Sequence, residues 1–305
     1  MDVAVLGADS LGRDLAAVAA RAGHVVHLHD AEATAAMDAI DEVERSFDDA
    51  VAAGELSATE RDAAVERLDA TTGLEAAVGD AAFVVVTGRT DEADLQSLFA
   101  EVEDHVDRES VVATTACEGS VTAAAAGLRH PDRAIGLHVT DPRSASLIEV
   151  VVPDQADADT VDRATEFVDG LGLVPVVVAD VPGVVSTRLA LASEVEAMLM
   201  VVNGVASVAD VDDAVARTHD HPVGPLERAD RAGLDARLAS LERLADALGE
   251  RFRPPGILAD LVDAGHTGMR AGEGFYVWEN GTPTESALPD PDVVDRVAGP
   301  DDPSR

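Results

Sequence analysis

Two groups of residues carry chemistry by type and spacing. The first is His138 with Glu149, in the stretch AIGLHVTDPRSASLIEVVV. An imidazole changes charge near neutral pH, and a carboxylate beside it orients the ring and stabilises its cation. Such a pair moves protons as a general acid and base; the same two residue types also occur as a satisfied histidine near a surface. The second group is Gly7-Ala8-Asp9-Ser10-Leu11-Gly12, a G-x-G-x-x-G pattern with aspartate at its middle glycine, followed by Asp30. There Gly7 permits a tight turn and Gly12 lets a helix pack closely on a sheet. Amides at Ser10 and Leu11 would then face a dinucleotide pyrophosphate at the helix N-terminus. An acid at the end of the second strand, here Asp30, bonds the adenosine ribose and favours NAD over NADP. Asp9 opposes this. A carboxylate about 4 Å from the pyrophosphate costs on the order of 4 kcal/mol at an effective dielectric near 20, before salt. Weakened NAD binding is expected.

Both groups need a scaffold. The apolar run Asp2–Leu6 reads as a buried parallel strand, 11–22 as a helix stopped by Gly23, and 25–29 as a second strand. Residues 31–68 read as an inserted helical hairpin, broken near Gly54 and restarted by Ser57 with Glu60 as a capping box. Strands follow at 82–87, 111–115, 134–139, 147–152 and 174–179, with helices at 95–106 and 158–171. This is a doubly wound α/β pattern with a mixed far edge. His138 falls near the carboxyl end of a strand, where such folds bind ligands. The segment Asp180-Val181-Pro182-Gly183 marks a boundary, so residues 1–182 read as a nucleotide-binding domain. Residues 183–282 read as an all-helical domain, with helices at 184–205, 208–218, 226–249 and 255–264 and a short extended piece at Phe275–Trp278. Residues 283–305 read as a loose, acidic, Pro/Asp-rich tail.

Composition bounds the partners. The 305 residues hold 22 Lys+Arg, every one an arginine, against 59 Asp+Glu, for a net charge of −37. That field repels nucleic acid and anionic membranes. It is tolerable in molar salt, where the Debye length is about 3 Å, so a halophilic protein is expected. One cysteine, Cys117, excludes an internal disulfide and a thiolate zinc cluster. The longest apolar stretch, 184–206, contains Arg188, Glu194, Glu196 and Asn203, which argues for a buried helix over a membrane span. The strand pattern starts at once after Met1, with no signal peptide, so a cytoplasmic location is expected. His24, His27 and His29 have no carboxylate at helical spacing, and no metal site is expected. The remaining acids read as a solvated surface.

Taken together, VLGADSLGRDLAAVAARAGHVVHLHD, HPDRAIGLHVTDPRSASLIEVVV, DVPGVVSTRLALASEVEAMLM, HPVGPLERADRAGLD and LVDAGHTGMRAGEGFYVW resemble the 3-hydroxyacyl-CoA dehydrogenase family of the 3-hydroxybutyryl-CoA type. The resemblance spans about residues 1–280. It implies a Rossmann-type domain, a helical C-terminal domain that forms homodimers, NAD as cofactor and an acyl-CoA thioester as substrate. It places His138 on the catalytic histidine, Glu149 on its partner, Cys117 on the catalytic serine and Thr187 on the asparagine that holds the substrate carbonyl. Asp30 falls on the NAD-selecting acid, and Thr115 stands at a cofactor-side asparagine. Other positions depart from the pattern. Val86 replaces a glutamate, Leu95 a cofactor-contacting lysine, Glu118 a serine and Val139-Thr140-Asp141 a Phe-Phe-Asn, and the connection from His138 to Glu149 is one residue short. Two further readings stay open, besides a purely structural helical-dimer subunit for which no positive feature exists. One is a dehydrogenase of a smaller hydroxy acid, because no lysine meets CoA phosphates, although Arg143 and Arg129 are candidates. The other is a catalytically silent member that binds a nucleotide or a partner.

Overall fold

The computed structural model describes residues 1–289 apart from 89, 90, 118, 140 and 141. The chain divides into two compact units, Met1–Val184 and Val185–Arg305.

The first unit alternates strands and helices in the order β1 (Asp2–Leu6), α1 (Ser10–Arg21), β2 (Val25–His29), α2 (Ala33–Ala52), α3 (Ala58–Val65), β3 (Leu68–Thr71), α4 (Leu74–Val78), β4 (Phe83–Val86) and α5 (Glu92–Glu103). It continues with β5 (Val111–Thr114), α6 (Val121–Ala125), β6 (Ala134–His138), β7 (Leu147–Val152), α7 (Ala158–Gly170) and β8 (Val174–Ala179). The eight strands form one sheet in the order β3-β2-β1-β4-β5-β6-β7-β8. Every pairing is parallel except β6 with β7, which gives the mixed far edge expected from the sequence. The fold is Rossmann-like.

Alternation of side chains splits the buried strand residues between two layers. Val3, Val5, Val85, Ala113 and Leu137 face α1, α2 and α7, where Leu15, Phe47 and Phe167 complete one core. Leu6, Val84, Val86 and Val112 face the other side, against Phe99 of α5 and Ala125 of α6. The helical hairpin forms as the sequence predicts. The Glu60 amide donates to Ser57 Oγ, and Glu60 Oε2 accepts the Ser57 amide, so the capping box closes in both directions.

The second unit contains α8 (Ser186–Val202), α9 (Val208–His219), α10 (Pro225–Ala232), α11 (Leu234–Leu248), α12 (Gly256–Asp263) and a hairpin of β9 (Tyr276–Glu279) with β10 (Thr282–Ser286). Its core gathers Leu191, Met198, Leu226, Leu241, Leu258 and Phe275.

Several sequence expectations change. The single helix expected over 226–249 is two, because Gly233 takes φ +98° and breaks the backbone between them. β3, α4 and α6 were not expected; each is only four or five residues long. The tail expected from residue 283 begins within β10, and residues 290–305 lie outside the described set. The apolar stretch 184–206 is not wholly buried: Leu189, Val202 and Val205 are 66%, 57% and 58% exposed. No helix among the described residues is long and apolar enough to cross a membrane.

Candidate active site

The glycine turn joins β1 to α1, and close packing dictates its residues. Gly7 has φ +126°, and a Cβ there would lie 2.5 Å from the Thr87 hydroxyl oxygen. A Cβ on Gly12 would meet the Gly7 carbonyl oxygen at 2.0 Å and Thr87 Oγ1 at 2.8 Å. Thr87 Oγ1 donates to that same carbonyl at 3.2 Å, so the first residue beyond β4 fastens the turn from below. The sequence places Thr87 in a strand and gives no sign of this role.

Asp9 is the N-cap of α1. Its Oδ1 accepts the Gly12 amide at 2.7 Å, while its backbone stays extended at φ −69°, ψ 177°. The Ser10 and Leu11 amides have no protein acceptor among the described residues. They are the two donors that an anion at the helix N-terminus would use. Asp30, at the end of β2, accepts the Ala8 amide at 3.2 Å and the Glu32 amide at 3.0 Å. It thus ties the second strand to the turn as well as standing where a ribose would be read. Glycines that only a bare backbone can replace, two open amides and a strand-end acid fit a dinucleotide. Thr115 turns back instead: its hydroxyl donates to the Val86 carbonyl at 3.4 Å.

At the other end of the same strand edge, β6 and β7 pair antiparallel with His138 directly opposite Glu149 and Gly136 opposite Val151. Cross-strand partners share a face, so both side chains leave the sheet on one side. Glu149 is buried, and His138 is half-buried at the last position of β6. Cys117 lies on that face too. A Cβ on Gly136 would come within 2.9 Å of its sulfur, and Cys117 packs with Val121, Val151 and Val184. The thiol is sealed, at 1% exposure, and donates to the Thr114 carbonyl at 3.6 Å. Burial, with Asp180 and Glu149 nearby, pushes its pKa far up, so it stays protonated. Asp180, a residue that sequence reasoning used only as a boundary marker, accepts the Ser120 hydroxyl at 3.0 Å and the Thr122 amide at 2.7 Å. It thereby ties the end of β8 to the N-terminus of α6, beside Cys117.

Thr187 belongs to the second unit, in the first turn of α8. Arg143 borders a cavity of about 430 Å³ with Val18, Arg21, Ser46 and Phe47, and pairs with Asp14 at 2.9 Å. Arg129 is engaged elsewhere, with Glu103 at 3.3 Å and Asp104 at 2.9 Å.

Residues 2–181 match the NAD binding domain of 3-hydroxyacyl-CoA dehydrogenase, and residues 183–278 match its C-terminal domain. The chain belongs to the 3-hydroxyacyl-CoA dehydrogenase family. As a member it is an NAD-dependent oxidoreductase of 3-hydroxyacyl-CoA thioesters. It is 33% identical over 286 residues to a 3-hydroxybutyryl-CoA dehydrogenase of Mycobacterium tuberculosis, covering 90% of this chain and 98% of that one. The crystal structure of Mycobacterium tuberculosis FadB2 superposes with a TM-score of 0.86 at 32% identity, covering 91% of this chain and 98% of the other. That of (S)-3-hydroxybutyryl-CoA dehydrogenase PaaH1 from Ralstonia eutropha gives 0.87 at 26% identity, with 92% and 99% covered.

Two departures from the pattern of 3-hydroxyacyl-CoA dehydrogenases have a packing account. Val86 and Leu95 are 1% and 3% exposed and belong to the apolar core between the sheet and α5. Polar groups there would be costly to bury without partners. Glu118, Thr140 and Asp141 lie outside the described residues.

Proposed function

We propose that His138 is the general acid and base of this dehydrogenase and that Glu149 holds it in place. The observation that carries this reading is the strand register, which sets His138 opposite a buried carboxylate at the carboxyl edge of the sheet. In the oxidative direction His138 accepts the proton of the C3 hydroxyl. Glu149 orients the ring and stabilises the imidazolium that results. In the reductive direction His138 returns that proton to the ketone oxygen. NAD, bound at Gly7, Asp9, Ser10, Leu11 and Gly12 with its ribose at Asp30 and Thr115 nearby, would supply the hydride acceptor. Cys117 supports the His138 strand from beneath, as a protonated thiol packed on Gly136. Thr187 donates to the substrate carbonyl.

The substrate is a short acyl-CoA, in line with relatives named for 3-hydroxybutyryl-CoA. In a chain without lysine, Arg21 is the cation beside the 430 Å³ cavity to test against CoA phosphates, since Asp49 and Glu55 also line that cavity and its other arginine, Arg143, pairs with Asp14. Leu189, Leu199 and Met200, exposed on one side of α8, support a homodimer through the C-terminal helices. A salt-rich cytoplasmic setting rests on composition: −37 net charge, arginine as the sole cationic side chain, and one cysteine.

The test is NADH oxidation in molar KCl with acetoacetyl-CoA against free acetoacetate, for wild type and His138→Ala. Turnover of the thioester, with kcat lowered roughly 10²–10⁴-fold in the variant, is the expected result. Equal rates for the two proteins would remove His138 from the mechanism. Turnover of the free acid alone would remove the thioester, and no wild-type turnover would leave a silent member of the family.

A further inference from the structure

We propose that Asp9 makes occupancy of the cofactor seat depend on cations. Its carboxylate caps α1 and also stands as a fixed negative charge beside the pyrophosphate position, so tight binding requires counter-ions to neutralise it. The inference rests on the NAD reading of the glycine turn.

Both carboxylate oxygens of Asp9 are located by the fold. Oδ1 accepts the Gly12 amide at 2.7 Å. Oδ2 lies over Gly88, where an added Cβ would approach it to 2.4 Å. The side chain cannot swing away without giving up the cap. The middle position of this turn ordinarily holds a bare glycine backbone against the pyrophosphate; here it holds an acid.

The surroundings do not cancel that charge. Asp30, a second carboxylate, holds the Ala8 amide at 3.2 Å. Arg13, on the first turn of α1, is engaged by Glu42 at 2.8 Å and by the Ala8 carbonyl at 2.7 Å. The Ser10 and Leu11 amides still offer hydrogen bonds to an anion. The seat is therefore built to bind a pyrophosphate while repelling it, and the balance is set by screening. A like-charge contact of this kind, relieved between dilute and molar salt, is worth on the order of tenfold in affinity.

NADH binding is measured by fluorescence titration of the cofactor-free protein at KCl concentrations from the lowest at which it stays folded up to molar. Wild type is compared with Asp9→Asn, Asp9→Ala and Asp246→Asn, the last removing an exposed carboxylate of α11 in the second unit. Wild type and Asp246→Asn should gain affinity in parallel as KCl rises. Asp9→Asn should bind about tenfold tighter than wild type at low salt and converge with it in molar salt. Thermal melts without cofactor separate the two roles of Asp9. Asparagine still caps a helix and should leave the melt near wild type, whereas alanine removes the cap and should lower it. Parallel salt curves for wild type and Asp9→Asn, with binding retained, overturn this proposal alone. No NADH binding by any of the four proteins at any salt overturns the cofactor reading and the proposal with it.

Discussion

The two ends of the sheet's carboxyl edge are built on different principles. At the β1–β2–β4 end, distances between backbone atoms select the residues. Gly7, Gly12 and Thr87 meet so closely that an added carbon has no space. At the β6–β7 end, register selects positions, and side chains supply the identity. His138 and Glu149 must face each other, yet beside them Cys117 stands where the family resemblance puts a serine. Where a Cβ has no space, as at Gly7 and Gly12, the site accepts glycine or fails. A site made of side chains degrades by degrees.

That contrast can be broken or sharpened by substitution, beginning with the largest expected effect. Gly12→Ala forces a Cβ to 2.0 Å from the Gly7 carbonyl and should cost about 3 kcal/mol of stability, with NADH binding lost. Chemical denaturation and fluorescence titration measure this, and a variant within about 1 kcal/mol of wild type would erase the distinction. Glu149→Gln keeps the shape and removes the charge. It should lower kcat roughly tenfold or more and move the His138-dependent limb of the pH–rate profile toward lower pH, because the imidazolium loses its stabilising partner. An unmoved limb would show that Glu149 acts on packing alone. Asp180→Ala removes the acceptor for Ser120 Oγ and the Thr122 amide, so about 1 kcal/mol of stability should go, with kcat falling less than in Glu149→Gln.

Cys117→Ser should change activity by no more than a few-fold. Its signature lies in pH. The folded thiol stays protonated while an unfolded one ionises near pH 9, so wild-type stability falls as pH rises above that range. The serine variant should lack this alkaline loss, as melts between pH 8 and 10 would reveal.

Much of the first unit is legible because its signals are local. The glycine turn, the Ser57–Glu60 box and the apolar strands carry their instructions within a few residues of themselves. β3 does not: Leu68-Asp69-Ala70-Thr71 is a short, half-polar edge whose strand character comes from pairing with β2. The second unit hides more. Among 59 acids, nothing in the sequence separates a buried aspartate from a solvated one. Asp230 nonetheless accepts the Phe275 and Tyr276 amides and the Trp278 indole N–H, each at 2.9 Å. Asp212 accepts the Leu226 and Glu227 amides and the Tyr276 hydroxyl. Burial raises the pKa of both, and Glu194 is likewise raised by burial between Arg228 and Arg237. These acids hold α9, α10 and the β9 hairpin together, which corrects the reading of the acids as surface alone. Only contacts between distant segments could reveal that role.

The antiparallel step between β6 and β7 has a consequence for how the chain can change over generations. Side chains alternate along a strand, so a slip of one residue in either strand would send His138 or Glu149 to the opposite face. The pair therefore does not drift; it is either kept or lost. The ladder that sets the pair runs through Gly136–His138 and Glu149–Val151, so the connection between the strands lies outside it. A change of length within either strand would break the facing of His138 and Glu149, which the register alone sets.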